Sequence, residues 1–298
     1  MNTLRSIVLV TLVLTLCLPL VLVQAVALRL APDLSRRIPM WVNRMLLVAL
    51  GVRVHVGGER TVRRPTILVA NHVSWLDIPV LGAVAPVRFV AKAEIARWPL
   101  IGWCARLVRT VFIERGNHGT VAEKASEVVE ALRAGDMVVI FPEGTTSDGN
   151  RVLFFKSGLL GAVREAMGEE ELHVQPATIV HTHASGLPLG RAHRNHAAYP
   201  GGVSLGESLA RVLGEGALDI AVDWHEPVAY PASERRKAFA ARLEALVRRH
   251  FAARIADGRI GHPARACRPS MTDAGKLDAL APISRPVPDG HAAGATVE

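Results

Sequence analysis

The chain has 298 residues, half of them hydrophobic and only 5% aromatic, with a formal net charge of +8. That length allows one large domain or two modest ones with ample core. The basic balance suits an anionic surface. Lipid is the expected surface and nucleic acid is not, because no zinc or RNA-binding pattern occurs and aromatic residues do not interleave with Lys/Arg. Cys17, Cys104 and Cys267 lack C-x-x-C spacing, which argues against a disulfide framework or a zinc site and suits a reducing compartment.

From Ile7 to Leu28 the chain carries no charge. About 22 helical residues would span roughly 33 Å, enough to cross a bilayer core. An uncleaved anchor is expected; a signal peptide cut near Val23-Gln24-Ala25 is the competing reading. Arg29, Arg36, Arg37 and Arg44 follow the run and only Arg5 precedes it, which places the bulk of the chain on the cytoplasmic face of the inner membrane. Leu34 to Val52, with Asp33 as its expected N-cap, reads equally as an amphipathic helix with its basic side on headgroups or as a core-packed helix. Residues 1–52 would form a membrane-associated helix pair.

From Val52 to Ala229 short β-rich runs alternate with helical ones. This is the pattern of an α/β domain with a mixed central sheet flanked by helices. Strands are expected at Val52–Val56, Thr66–Ala70, Val87–Ala91, Thr110–Ile113, Met137–Ile140, His173–Val180 and Leu218–Val222. Helices are expected at Ile78–Val84, Pro99–Val108, Gly119–Ala134, Ser157–Met167 and Leu205–Leu213. Val121, Ala125, Val128, Val129 and Leu132 share one face of the third helix, and Gly135 stands where a C′ glycine belongs. A last helix, Ser233–Ile255, begins at a serine cap. Beyond Gly258 a proline-rich tail should be disordered. The domain plan is therefore 1–52, 53–257 and 258–298.

Four stretches carry chemistry. In Asn71-His72-Val73-Ser74-Trp75-Leu76-Asp77, a strand delivers a histidine that can take a proton near neutral pH and a carboxylate that can orient it. Five residues along a regular helix turn through about 140°. The two side chains can therefore meet only if His72 lies on the strand-to-helix turn and Asp77 at the helix start. Asp77 as a plain helix cap is the other reading. In Phe112-Ile113-Glu114-Arg115-Gly116, a strand ends in a guanidinium suited to a phosphate, or in a surface ion pair. In Phe141-Pro142-Glu143-Gly144-Thr145-Thr146, a buried strand enters a turn able to offer N–H groups and hydroxyls to an anion, with Lys156 returning a cation near the next helix start. The run His173-Val174-Gln175-Pro176 is a strand with a proline, which argues for an edge or a bulge.

In this order the four stretches resemble the glycerolipid acyltransferase family, typified by 1-acylglycerol-3-phosphate O-acyltransferase: N-H-x4-D, F-x-x-R, F-P-E-G-T and a V-x-P-like segment. The resemblance covers about Pro65 to Val180. It implies acyl transfer from acyl-CoA or acyl carrier protein to the hydroxyl of a lysolipid, without a resident cofactor or metal. His72 would be the base and Asp77 its partner. Asn71, Arg115, Glu143, Gly144, Thr145 and Lys156 would contact substrate, and N–H groups near Gly144 could face the oxyanion. The favoured acceptor is 1-acylglycerol-3-phosphate, giving phosphatidic acid.

Thr146 departs from the family pattern, which has a phosphate-binding arginine there. With Asp148-Gly149-Asn150 this is similar to the lyso-ornithine lipid acyltransferase branch, the alternative assignment. That branch carries an aromatic-Gly-Asp motif where Ala198-Tyr199-Pro200-Gly201-Gly202 stands here. A hydrolase using Ser74 or Ser147, or a non-catalytic lipid-binding protein, are the readings of another class. No G-x-S-x-G elbow supports the hydrolase. Cys104, in an apolar helical context, reads as structural.

Overall fold

The structure is a computed structural model that describes residues 15, 19–20, 22–98, 101–114, 118–200, 203–215 and 217–257. The strands are β1 (Val52–Gly57), β2 (Thr66–Ala70), β3 (Val87–Lys92), β4 (Val111–Ile113), β5 (Met137–Ile140), β6 (His173–Ala184), β7 (Leu187–Pro188), β8 (Leu218–Trp224) and β9 (Val228–Ala229). The helices are α1 (Pro32–Ala49), α2 (Asp77–Val84), α3 (Ile101–Leu107), α4 (His118–Arg133), α5 (Gly158–Met167), α6 (Arg191–Ala197), α7 (Leu205–Glu215) and α8 (Arg236–Asp257), with a 3₁₀ turn at Ala93–Arg97.

The sheet runs β1-β8-β6-β2-β5-β3-β4, with β7 and β9 also paired to β6. It is mixed as expected: β2 lies parallel to both β5 and β6, while β8 is antiparallel to β6. Alternate strand residues face opposite sides. Ile67, Val69, Val138 and Ile140 pack with Val128, Val129 and Leu132 of α4, Leu160 and Val163 of α5, and Phe239, Leu243, Val247 and Phe251 of α8. Leu68, Ala70, Met137 and Val139 pack on the other side with Leu47 of α1, Val80 and Leu81 of α2, and Val212 of α7. Burying each such side chain contributes about 1.5–3 kcal/mol, so period-2 alternation in β2 and β5 holds both helical layers.

Three local expectations are corrected. Asp33 lies inside the first turn of α1, whose N-cap is Ala31 with no side-chain hydrogen bond. The last helix begins at Arg236, so Ser233 does not cap it. Pro176 is not on an edge strand: it pairs with Val69 in the centre of the sheet. Its missing N–H falls in the gap between the β8 and β9 ladders, which meet β6 at Ala177 and Val174. There the Pro176 carbonyl accepts the His225 N–H at 3.0 Å. Gly135 does adopt the left-handed conformation, φ +83°.

Most of Ile7–Leu28 and all of 258–298 lie outside the described residues, and with them the anchor and tail readings. Residues 22–30 are helical. Among the described residues no helix is long and apolar enough to cross a membrane. In α1, Ile38 and Leu47 are buried, Arg36 ion-pairs with Asp136 at 3.0 Å, and Arg44 donates to the Ala83 carbonyl at 2.8 Å. These two arginines are thus bonded to the protein itself.

Candidate active site

Strand β2 is followed by α2 on one face of the sheet, and its neighbour β5 leads to α5 on the other. A crevice opens at the carboxyl ends of adjacent strands whose connections depart to opposite faces. Because Val69 pairs with Ile140, Asn71-His72 and Phe141-Pro142-Glu143 emerge side by side there.

His72 and Asp77 meet as their spacing required, with the histidine on the turn and the acid as first residue of α2. His72 Nδ1 lies 2.8 Å from Asp77 Oδ2. The same Oδ2 accepts the backbone N–H of Val73 at 2.6 Å and of Ser74 at 2.9 Å. Asp77 Oδ1 lies 3.4 Å from Nε2 of His181, a residue of β6 that sequence reasoning passed over. Asp77 is fully buried. Burial alone would raise its pKa, but the hydrogen bonds from His181 and His72 outweigh it and hold the carboxyl well below its ordinary range. An ionised Asp77 accepts only, so Nδ1 of His72 donates to it, and in the neutral imidazole Nε2 is then bare. The His72 side chain is 17% exposed, enough to meet a substrate. Its ring stacks on Phe141, centroids 4.1 Å apart and planes 14° apart.

Glu143 works from beneath. It is 2% exposed, and its Oε1 accepts the His72 backbone N–H at 3.1 Å while Oε2 is buried without a hydrogen bond of good geometry. Burial raises its pKa to about 8; the N–H groups of His72 and Leu153 act against the rise, and the charges of Asp77 and Glu244 add to it. The expected substrate contact is therefore a buried brace whose carboxyl is pushed toward its neutral form. Asn71 is likewise corrected. It is fully buried, and its amide is used on β6: Nδ2 donates to Ile179 O at 2.9 Å and Oδ1 accepts Ile179 N–H at 2.8 Å. It positions the turn and presents nothing to a ligand.

Gly144 takes φ +69° and closes a turn, its N–H donating to Phe141 O at 3.1 Å, so that group is not aimed at an oxyanion. Thr145 is exposed beside it. Lys156 is exposed too, and its N–H bonds Pro142 O at 2.9 Å, which seats this cation against the Glu143 turn. Arg115 lies outside the described residues. Ser147 donates its N–H to His72 O at 2.8 Å. Ser74 and Ser147 are buried, and their hydroxyl oxygens accept backbone N–H groups of Leu76 and Gly149, an arrangement unlike that of a nucleophile. Burial raises the pKa of the Cys104 thiol, away from reactivity. The Thr146 hydroxyl donates to the Tyr199 carbonyl, and the Tyr199 N–H donates to Val73 O at 3.0 Å. Helix α6, absent from the sequence reading, precedes that segment. Its sequence Arg-Ala-His-Arg-Asn-His-Ala has no apolar period to announce it.

Residues 53–180 match the family described as Acyltransferase. The chain is 41% identical over 270 residues to a lyso-ornithine lipid O-acyltransferase of Rhizobium meliloti, covering 87% of this chain and 92% of that protein. It is 42% identical over 251 residues to the protein of that name from Brucella abortus, covering 83% and 94%. A 1-acyl-sn-glycerol-3-phosphate acyltransferase of Neisseria meningitidis is 38% identical over 136 residues, 45% of this chain and 53% of that one. The fold resembles the crystal structure of the Thermotoga maritima 1-acyl-sn-glycerophosphate acyltransferase, with a TM-score of 0.57 at 23% identity over 85% of this chain and 97% of that one. The chain belongs to the acyltransferase family.

Proposed function

We propose that this chain transfers a fatty acyl group from acyl-CoA or acyl carrier protein to the free hydroxyl of lyso-ornithine lipid, on the cytoplasmic face of the inner membrane. The reaction rests on the geometry of the dyad. Bare Nε2 of His72 takes the proton of the acceptor hydroxyl as its oxygen attacks the thioester carbonyl, while Asp77 holds the ring and stabilises the imidazolium. Collapse of the tetrahedral species breaks the C–S bond. The imidazolium returns the proton to the departing thiolate, and imidazole is regenerated with no acyl-enzyme.

One observation carries the choice of acceptor. Where the family pattern has an arginine for a phosphate, Thr146 stands with its hydroxyl committed to Tyr199 O. A phosphate monoester arriving there would find neither a cation nor a free donor in that side chain. The near full-length relatives named for lyso-ornithine lipid favour the same acceptor. A membrane location is supported by exposed Leu22, Val26, Leu30, Leu34 and Trp41 on the helical residues 22–30 and α1. Apolar faces of this kind suit substrates whose acyl chains stay in lipid.

The test is transfer from labelled acyl-CoA, and separately acyl carrier protein, to lyso-ornithine lipid and 1-acylglycerol-3-phosphate in mixed micelles. Ester should form on lyso-ornithine lipid, with the His72→Ala protein lower by about 10²–10⁴-fold. Faster acylation of 1-acylglycerol-3-phosphate would overturn the acceptor, and thioester loss without ester would overturn the reaction.

A further inference from the structure

Replacing the phosphate-binding arginine by Thr146 removes a positive charge from the site, and the structure brings another one near. Arg194, on α6, borders the same loop: its carbonyl oxygen lies 3.2 Å from where a Cβ on Gly149 would stand, and Cγ1 of Val73 lies 3.4 Å from that point. Val73 is next to the base. The Ala198 N–H donates to Arg194 O at 3.0 Å, and the chain then continues into Tyr199, which binds both Val73 and Thr146. Helix α6 is thereby fixed against the loops that carry His72 and Thr146.

The Arg194 side chain has unused capacity. Its Nη1 reaches Asn150 Oδ1 at 3.4 Å, a weak contact with a neutral amide, and its Nε is buried without a partner. Among the described residues no carboxylate pairs with it. Burial alone accounts for the lowering of its pKa, with no acid to offset it. Arg36 and Arg164 also have a buried Nε without a hydrogen-bond partner, but sheltered arginines elsewhere have a carboxylate or several carbonyls. Arg36, Arg88 and Arg109 share Asp136, and Arg164 donates to the carbonyls of Tyr230, Gly168 and Glu170. A partly buried guanidinium is costly unless an anion completes it, and its planar fork matches a carboxylate through two parallel hydrogen bonds.

We propose that Arg194 binds the acidic group of the acceptor's headgroup, the α-carboxylate of lyso-ornithine lipid, so that α6 supplies the cation that the Thr146 position lacks. This rests on the acceptor reading above. It makes Arg194 a specificity residue: it would hold the headgroup while the distant hydroxyl meets His72, affecting binding more than chemistry.

The experiment compares wild type, Arg194→Gln and Arg194→Lys on lyso-ornithine lipid and on its methyl ester, which removes the carboxylate charge and keeps the hydroxyl and ammonium. Losing a charge-assisted pair should raise KM for the acid by roughly 10- to 100-fold in Arg194→Gln with kcat within about threefold. Arg194→Lys should fall between. On the ester, wild type should already show the high KM and Arg194→Gln should change it less than about twofold, which also demonstrates a folded enzyme. An unchanged KM on the acid, or equal losses on acid and ester, would overturn the assignment. If wild type acylates 1-acylglycerol-3-phosphate and leaves lyso-ornithine lipid untouched, the acceptor reading fails and the carboxylate assignment falls with it.

Discussion

Replacing Glu143 with Gln separates a brace from a substrate contact. The carboxyl is 2% exposed, one oxygen accepts the His72 N–H, and the other makes no hydrogen bond of good geometry. Its pKa rises from 4.5 to about 8, chiefly through burial. The native state therefore binds a proton that the unfolded chain has released. Stability from this group is fully present below about 4.5, declines as pH rises, and is gone above about 8. At about 1.4 kcal/mol per unit the upper bound is roughly 5 kcal/mol. Even a fifth of that would shift Tm by about 1.5–2 °C in a chain of this size. Glutamine keeps the acceptor for the His72 N–H and has no charge to bury. Wild type should thus lose Tm relative to Glu143→Gln as pH goes from 5 to 9, while transferase activity at pH 7 differs by less than about tenfold. Glu143→Leu, which leaves the N–H unpaired, should lose more activity. Parallel Tm curves across that range, or a raised lysolipid KM in Glu143→Gln at equal stability, would refute the reasoning and return Glu143 to the substrate.

Asp77→Asn should keep the fold but disturb the tautomer of His72, with kcat falling by up to about 10⁴-fold in the transferase assay. His181→Phe removes one of the donors that hold the Asp77 carboxyl down. Asp77's contribution to stability is present above its unfolded value and is lost as pH falls through the folded one. That contribution should be smaller in the variant and its loss complete at a higher pH, read as an upward shift of the acid-unfolding midpoint; an unmoved midpoint would deny His181 its part. Asn71→Ala leaves the N–H and carbonyl of Ile179 unpaired in the core. It should cost about 2–5 kcal/mol in urea unfolding and reduce activity through the displaced His72 turn.

What the chain's own pattern determines is local. Unbroken β-rich apolar runs at Thr66–Ala70 and Met137–Ile140 select strands with two buried faces, Gly135 selects a left-handed helix end, and the interval from His72 to Asp77 demands a strand-to-helix turn. These depend on one or a few neighbouring residues, so they can be read without the fold. The family pattern adds the reaction by naming residues that chemistry would choose. Tertiary structure decides which strands lie beside one another, and with that most of the site. Only pairing of β2 with β5 and β6 puts Glu143 under His72, Ile179 on Asn71 and His181 on Asp77, from positions 71, 108 and 104 residues apart in the chain. No periodicity marks His181, whose strand is buried on both faces, or Arg194, on a short polar helix. The same cause turns expected ligand contacts into supports. A polar side chain at a strand's end looks alike in sequence whether it faces a crevice or a neighbouring strand, and burial among β5, β2 and β6 settles Asn71 and Glu143 as inward.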